Sequence, residues 1–263
     1  MNIKIVVKVM NFHALLRVEA ARKKAKKYFW LEQEISGMID MILNNRNFIL
    51  DKHTLRPDPS KPALNIYIGS DYGFCGRVNS QVNDLLLVDN DSEKIIIGKK
   101  LSRSCPNVLL NIKREMFDTN YSVVEEQLES SIQGLRHSAI NIIYNHYQNV
   151  SNISLCKKQI FPASFAKKGG SGYTEDFVVE DKVDKLLTNL VLFYINCEVK
   201  IAAINSFASE NIMRQNATSE SMKKIDEWQE EERRLIRKEQ KQKNIKKVLD
   251  SYIKKRNFGG TDQ

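Results

Sequence analysis

The sequence predicts an α/β protein: a small, mostly parallel, Rossmann-like domain flanked by two long terminal helices that pair as an antiparallel coiled coil. First, residues 180–256 contain neither Pro nor Gly, so nothing interrupts a helix there. Second, the N-terminal segment carries its own apolar stripe at helical spacing. Third, strand-like and helix-like segments alternate in the middle of the chain. We therefore expect four segments: an N-terminal coiled-coil helix over residues 1–50, the α/β domain over 51–178, a long C-terminal coiled-coil helix over 179–256 and a flexible tail over 257–263.

The N-terminal helix is predicted from about residue 12 to residue 45. Small residues, Ala14 and Ala21, continue its stripe towards the N-terminus and let two helices approach closely. The basic face at residues 22–27 is either solvated or contacts nucleic acid or an acidic protein. Steps of three and four residues define the predicted coiled-coil seam of this helix: Tyr28, Leu31, Ile35, Met38 and Ile42.

A connector with three prolines, residues 51–62, separates this helix from the α/β domain. In that domain strands alternate with helices, which indicates a doubly wound sheet. The predicted strands are residues 63–68, 94–98, 108–112, 138–144 and 153–161, and the predicted helices are residues 78–88 and 122–135. A basic loop with several glycines follows at residues 167–172.

The C-terminal helix is exceptionally long. At about 1.5 Å per residue it would extend roughly 110 Å. Its apolar stripe needs a partner helix, and the N-terminal helix is the natural one.

Composition limits the class of protein. The chain has 263 residues, is 42% hydrophobic and carries a formal net charge of +9, which favours nucleic acid, anionic lipid or an acidic protein surface as the partner. Four scattered cysteines indicate reduced, mostly buried thiols, with a metal site or disulfide frame as the less favoured alternative. No apolar run approaches the roughly 20 residues that cross a bilayer.

One turn lies where α/β folds usually bind ligands, between the first strand and the next helix. It lacks the Gly-x-Gly-x-x-Gly and Gly-Lys-Ser/Thr patterns of phosphate loops. No His-containing motif stands near its cysteine, so a cysteine nucleophile is not favoured. We therefore predict no catalytic, cofactor-binding or metal-binding residues, and a structural turn in which the glycines permit close packing. Its residues are Ser70, Asp71, Gly73, Cys75, Gly76 and Asn79.

The turn residues 70–76 read Ser-Asp-Tyr-Gly-Phe-Cys-Gly, and Asn79 and Ser80 follow. This segment resembles the Ser-Asp-Arg/Lys-Gly-Leu-Cys-Gly segment, with its following Asn, of the gamma subunit family of F-type ATP synthases. Ile97-Gly98-Lys99-Lys100 and Ile143-Tyr144-Asn145 match later segments, and residues 186–214 align without a gap. These matches lie in the family's order across most of the chain. Departures occur at Arg77, Lys200 and Asn205, and near both termini.

The resemblance implies a non-catalytic central rotor shaft without a cofactor. It implies as partners a hexamer of ATPase alpha and beta subunits, an epsilon-type subunit and a membrane rotor ring, without nucleic acid and without direct membrane insertion. It also implies that Ser209, Glu210 and Arg214 contact a partner. We expect a peripheral position on the cytoplasmic face of a bacterial-type membrane rather than on the mitochondrial inner membrane.

Three possibilities for the class of protein stay open at this point. The first is a rotor shaft, either of a standard ATP synthase or of a divergent rotary ATPase. The chain could instead be a basic α/β and coiled-coil protein that binds nucleic acid through the cations of residues 233–256. A nucleotide-binding enzyme using the turn at Gly73 and Gly76 is the third possibility.

Overall fold

The computed structural model describes residues 3–44, 56–101, 104–148, 152–162 and 182–258. It confirms an α/β fold with a mostly parallel sheet and long terminal helices. In chain order the elements are α1 Ile3–Asn44, β1 Leu64–Ile68, α2 Val78–Val88, β2 Glu93–Ile97, β3 Val108–Ile112, a short 3-10 helix Arg114–Met116, α3 Tyr121–Gln133, β4 Ile140–Tyr147, β5 Ile153–Phe161 and α4 Val183–Phe258.

The five strands form one sheet in the order β3-β2-β1-β4-β5. The first four strands of that order are parallel, and β5 runs antiparallel to β4. The relative direction of two neighbouring strands depends on the length of the chain between them. Only a few residues separate β4 from β5, which is enough for an antiparallel pair, whereas a parallel pair needs a longer crossover. The carboxyl ends of β1, β2 and β3 consequently meet at one edge of the sheet.

The two faces of the sheet have different covers. Alternate residues of the strands point to opposite faces. On one face, α2 packs through Val82 and Leu86 against Tyr67, Ile96 and Ile143. The other face carries the main core, to which α1, α3 and α4 contribute. Its strand residues are Leu64, Ile66, Ile68, Ile95, Ile97, Ile112, Ile140, Ile142, Tyr144, Ile160 and Phe161.

The buried stripe of α1 follows alternating steps of four and three residues. Ile35, Ile39 and Ile42 belong to the main core, and Ala21 packs with Ile204 and Ala208 of α4. The structure differs from the predicted seam at one position, because Met38 is 50% exposed and Ile39 is fully buried. Tyr28 and Leu31 are partly buried, and both border the buried stripe.

The chain divides into two compact units, residues 12–217 and residues 1–11 with 218–263. In the second unit, the start of α1 lies beside α4: Asn11 donates a hydrogen bond to Thr218 over 3.0 Å, and Lys4 forms an ion pair with Asp226. This pairing accounts for a helix that begins at Ile3, earlier than predicted. From residue 230 to residue 254 every side chain of α4 is exposed. The predicted four-segment division stays a prediction.

By length and composition alone, one described helix, within Val183–Lys254, is apolar enough to cross a membrane, although its sequence contains no uninterrupted apolar run of about 20 residues. The apolar stretch of 18 residues in this helix is 61% buried inside the protein, because α4 joins the main core there. Burial in the core accounts for its apolar composition. The predicted loop at residues 167–172 and the tail residues 259–263 lie outside the described residues.

Candidate functional site

The turn between β1 and α2 lies against α4, so the two groups of residues singled out in the sequence meet. Arg214 donates a hydrogen bond from Nη2 to the carbonyl oxygen of Gly73 over 3.4 Å. Met213, the preceding residue of α4, packs against Gly76. The site is therefore a junction between the carboxyl edge of the sheet and the long helix.

Asp71 is the centre of the turn. One carboxylate oxygen accepts hydrogen bonds from the backbone N–H groups of Lys99 (2.7 Å) and Arg114 (2.9 Å), and the other accepts one from Glu115 (2.9 Å). Burial by itself raises the pKa of Asp71, but the three N–H donors outweigh burial and lower the pKa below its ordinary value. A single carboxylate thus joins the segments that follow β1, β2 and β3.

The remaining turn residues form a small hydrogen-bonded network. The backbone N–H of Ser70 donates to Oδ1 of Asn79 over 2.9 Å, and the Ser70 hydroxyl donates to the carbonyl of Tyr72 over 2.8 Å. Nδ2 of Asn79 lies 3.3 Å from the sulfur of Cys75. Burial raises the pKa of the Cys75 thiol, which disfavours the reactive thiolate. Cys75 therefore packs as a structural residue.

Two predicted glycines differ in what they do. Gly76 has φ +57° and a Cβ there would lie 2.5 Å from the methyl carbon of Met213, so glycine is favoured at this position. A Cβ on Gly73 would meet nothing within 4 Å. The carbonyl group of Gly73 accepts the hydrogen bond from Arg214. The exposed Phe74, with φ 59°, is the second residue of the turn in the left-handed conformation.

Ser209, Glu210 and Arg214 are buried and bound within the chain. The Ser209 hydroxyl donates to the carbonyl of Asn145 over 3.0 Å. Arg214 forms an ion pair with Glu210 and a 3.1 Å hydrogen bond to Asn211. Burial raises the pKa of Glu210, although Arg214 opposes the shift. The predicted contact of these three residues with a partner stays a prediction.

Arg114 was not identified from the sequence. Its Nη2 donates to the carbonyl of Ala203 over 3.0 Å, and its guanidinium lies 5.1 Å and 5.5 Å from the ring centres of Phe117 and Phe207. It joins the end of β3 to α4. Its segment has no clear periodicity, and only the aromatic residue three positions on could have indicated a stacked cation.

The arrangement favours mechanical connection over chemistry. Both oxygens of Asp71 already accept hydrogen bonds, and the thiol is buried. Within the described ranges, no group of three or more His, Cys, Asp or Glu side chains is placed to hold a metal ion.

Residues 1–249 match the family described as ATP synthase. A curated relative, the ATP synthase gamma chain of Rickettsia felis, is 27% identical over 241 residues, which cover 82% of this chain and 83% of the relative. The ATP synthase gamma chain of Mycoplasma mycoides is 24% identical and covers 82% of this chain and 81% of its own length.

Two solved structures have a similar fold. The first is the central stalk and c-ring structure of the Tetrahymena thermophila mitochondrial ATP synthase, with a TM-score of 0.58, 21% identity, and coverage of 82% of this chain and 99% of the other. The second is a structure of the Euglena gracilis mitochondrial ATP synthase comprising OSCP, F1 and c-ring, with a TM-score of 0.52, 15% identity, and coverage of 94% and 97%.

Proposed function

The chain belongs to the ATP synthase family as a gamma chain, a non-catalytic subunit, and we propose on that premise how it serves as the central rotor shaft of the complex. The observation that carries the proposal is the extent of the family match, residues 1–249, which includes α1, the sheet and α4 up to residue 249. The nucleic-acid-binding and nucleotide-binding alternatives receive no support from these matches.

The coiled-coil helices would enter the hexamer of ATPase alpha and beta subunits. The α/β domain would bind the membrane rotor ring and an epsilon-type subunit. A rotor that makes different contacts with each of three catalytic sites holds those sites in different states, and turning it exchanges the states. The chain would couple ATP synthesis or hydrolysis to ion movement in this way, without reacting groups of its own.

The exposed end of α4 is suited to a partner that surrounds it. Residues 233–254 contain nine Lys or Arg and two Asp or Glu, so this segment carries most of the net charge of the chain. Three apolar side chains on the same segment, Leu235, Val248 and Tyr252, are more than 60% exposed. Single exposed ion pairs contribute only about 0–1 kcal/mol, so shape and apolar contact would supply most of the coupling.

The junction at Asp71 and Arg214 would transmit force between the sheet and the shaft. It fixes the ends of three strands to one another and to α4. The burial of Arg214 supports this role within the chain more directly than the predicted contact with a partner.

We also propose a peripheral position on an energy-coupling membrane. The bacterial relatives from Rickettsia and Mycoplasma support the cytoplasmic face of a bacterial-type membrane, whereas both similar solved structures come from mitochondria. Membrane fractionation of the source cells distinguishes the two locations.

The test of the proposed function is purification of the tagged full-length chain from detergent-solubilised membranes. We expect the alpha, beta, epsilon-type and ring subunits to co-purify in a fixed ratio. Deleting residues 233–263 should lower ATP-driven ion pumping while the ring and epsilon-type subunits stay bound. Recovery of the chain without any ATPase subunit, or pumping that is unaffected by the deletion, would contradict the proposal.

A further inference from the structure

A pocket of about 350 Å³ lies beside the junction, between α1, the 3-10 helix and α4. Pockets of this size are large enough for a small organic ligand. The pocket lies wholly within the unit formed by residues 12–217. Ala20 and Ala21 of α1 and Ile204 and Phe207 of α4 supply its apolar wall.

The polar wall contains four carboxylates, and each is already engaged. Asp71 accepts three backbone hydrogen bonds. Asp118 pairs with Lys24 over 2.9 Å, Glu115 accepts from the Tyr72 hydroxyl, and Glu210 pairs with Arg214. The acidic groups therefore stabilise the walls and do not form a cation site.

Two arginines of the pocket have uncommitted donors. Arg114 is partly buried, and its Nε atom is buried without a hydrogen-bond partner among the described residues. A buried donor without a partner is costly, and such groups normally find protein, water or a ligand. Arg17, on the rim, is exposed and makes no hydrogen bond or ion pair within the described ranges.

We propose that this pocket binds a small organic anion with one carboxylate or phosphate group. Arg17 and the Nε–H of Arg114 would hold the oxyanion, because guanidinium donors match the geometry of these groups. The apolar part of the ligand would lie against Ile204 and Phe207. A bound anion would connect α1, the 3-10 helix and α4, and its binding does not depend on the proposed rotor role.

The test is a titration of the full-length chain with phenyl phosphate and with benzoate at physiological salt. The readout is the NMR signal of the Arg114 Nε–H, identified from its loss in Arg114→Lys. This local signal does not report anions that bind the basic end of α4. We expect a saturable shift with at least one probe and none with the neutral analogue benzyl alcohol. The stronger probe identifies the class of oxyanion.

Arg17→Gln is the informative variant, because Arg17 is exposed and its replacement leaves the folded core intact. We expect about tenfold weaker binding when one charged hydrogen-bond donor is lost. Arg22→Gln is the matched control, since Arg22 is an exposed arginine of α1 that pairs with Glu19 and does not line the pocket. Absence of a saturable shift with both probes, or equal affinity in the chain with Arg17→Gln, would overturn the proposal.

Discussion

At the scale of single residues, Asp71 joins three separate segments through one carboxylate. Replacing it by Asn removes the charge and turns an N–H donor towards one of the three backbone donors. We expect Asp71→Asn to lower the free energy of unfolding by about 1–3 kcal/mol at pH 7. Urea denaturation is the measurement, with the exposed Asp91→Asn as control. An equal stability of both variants would contradict the role given to Asp71.

The lowered pKa of Asp71 predicts that the loss of stability in Asp71→Asn depends on pH. Because the folded-state pKa of Asp71 is lowered, its contribution is present above the unfolded pKa of about 3.9 and is lost as the pH falls through the folded pKa. The difference in stability between wild type and Asp71→Asn should therefore shrink on acidification below about pH 4.

Arg214 gives a second prediction at this scale. Arg214→Ala leaves Glu210 buried without its partner, and breaking a buried pair in this way costs about 3–5 kcal/mol. Burial raises the pKa of Glu210 in the folded state. The contribution of protonated Glu210 to the free energy of unfolding is therefore present below the unfolded pKa and is lost as the pH rises through the folded pKa. The loss in Arg214→Ala should consequently be smaller in acid.

A measurement of activity distinguishes the two roles considered for Arg214, which are contact within the chain and contact with a partner. If it acts within the chain, complexes that assemble with Arg214→Ala keep the normal ratio of ATP-driven ion pumping to ATP hydrolysis, and this is the result we expect. A lowered ratio in fully assembled complexes would instead support the predicted contact with a partner.

At the scale of elements, the pairing of α1 with the main core can be tested with two neighbouring residues. Ile35 is 4% exposed and Met38 is 50% exposed. Ile35→Asp should lower the free energy of unfolding by more than about 2 kcal/mol, because it removes a core side chain and buries a charge. Met38→Asp, the control, should change it by about 0.5 kcal/mol or less. Similar thermal melting of both variants would contradict the described packing.

The difference between the predicted seam and the buried stripe at Met38 has a physical origin. Apolar residues alone suggest the steps 28, 31, 35, 38 and 42, but the structure places Glu32 near the buried stripe. Burial and the nearby Glu198 raise the pKa of Glu32, while Lys158 opposes the shift. Lys158 pairs with Glu198 over 2.6 Å. A carboxylate partly buried near a compensating lysine is invisible to a search for apolar periodicity.

The strands and the turn were predictable because their signals are local: short apolar runs, glycines and alternation. The hydrogen bonds of Asp71 and Arg114 were not, since they join residues 28 to 89 positions apart. Such contacts depend on strand order, which local patterns do not specify. Gly98 shows the same limit. Its φ is +125°, and a Cβ there would lie 2.8 Å from the carbonyl carbon of Gly69, at the end of the neighbouring strand, so the position needs glycine.

At the scale of the whole molecule, the purified chain should not bind ATP tightly. Backbone N–H groups at the carboxyl edge of a parallel sheet often receive a phosphate. Here the Asp71 carboxylate accepts three of them, so these N–H groups have no free donor left for a phosphate. Calorimetric titration with Mg-ATP should show no stoichiometric binding. A dissociation constant in the micromolar range would contradict this expectation.

The exposed stretch of α4 from residue 230 to residue 254 has a consequence for the life of the chain before assembly. Its support within the helix is local, as in the pairs Arg234–Glu230 and Lys243–Glu239, and such pairs contribute only about 0.2–0.5 kcal/mol each. A helix held in this way opens often, and nine Lys or Arg make it a substrate for trypsin-like proteases. An unassembled chain would thus be shortened first at this end, and enclosure by partner subunits would end its susceptibility to degradation.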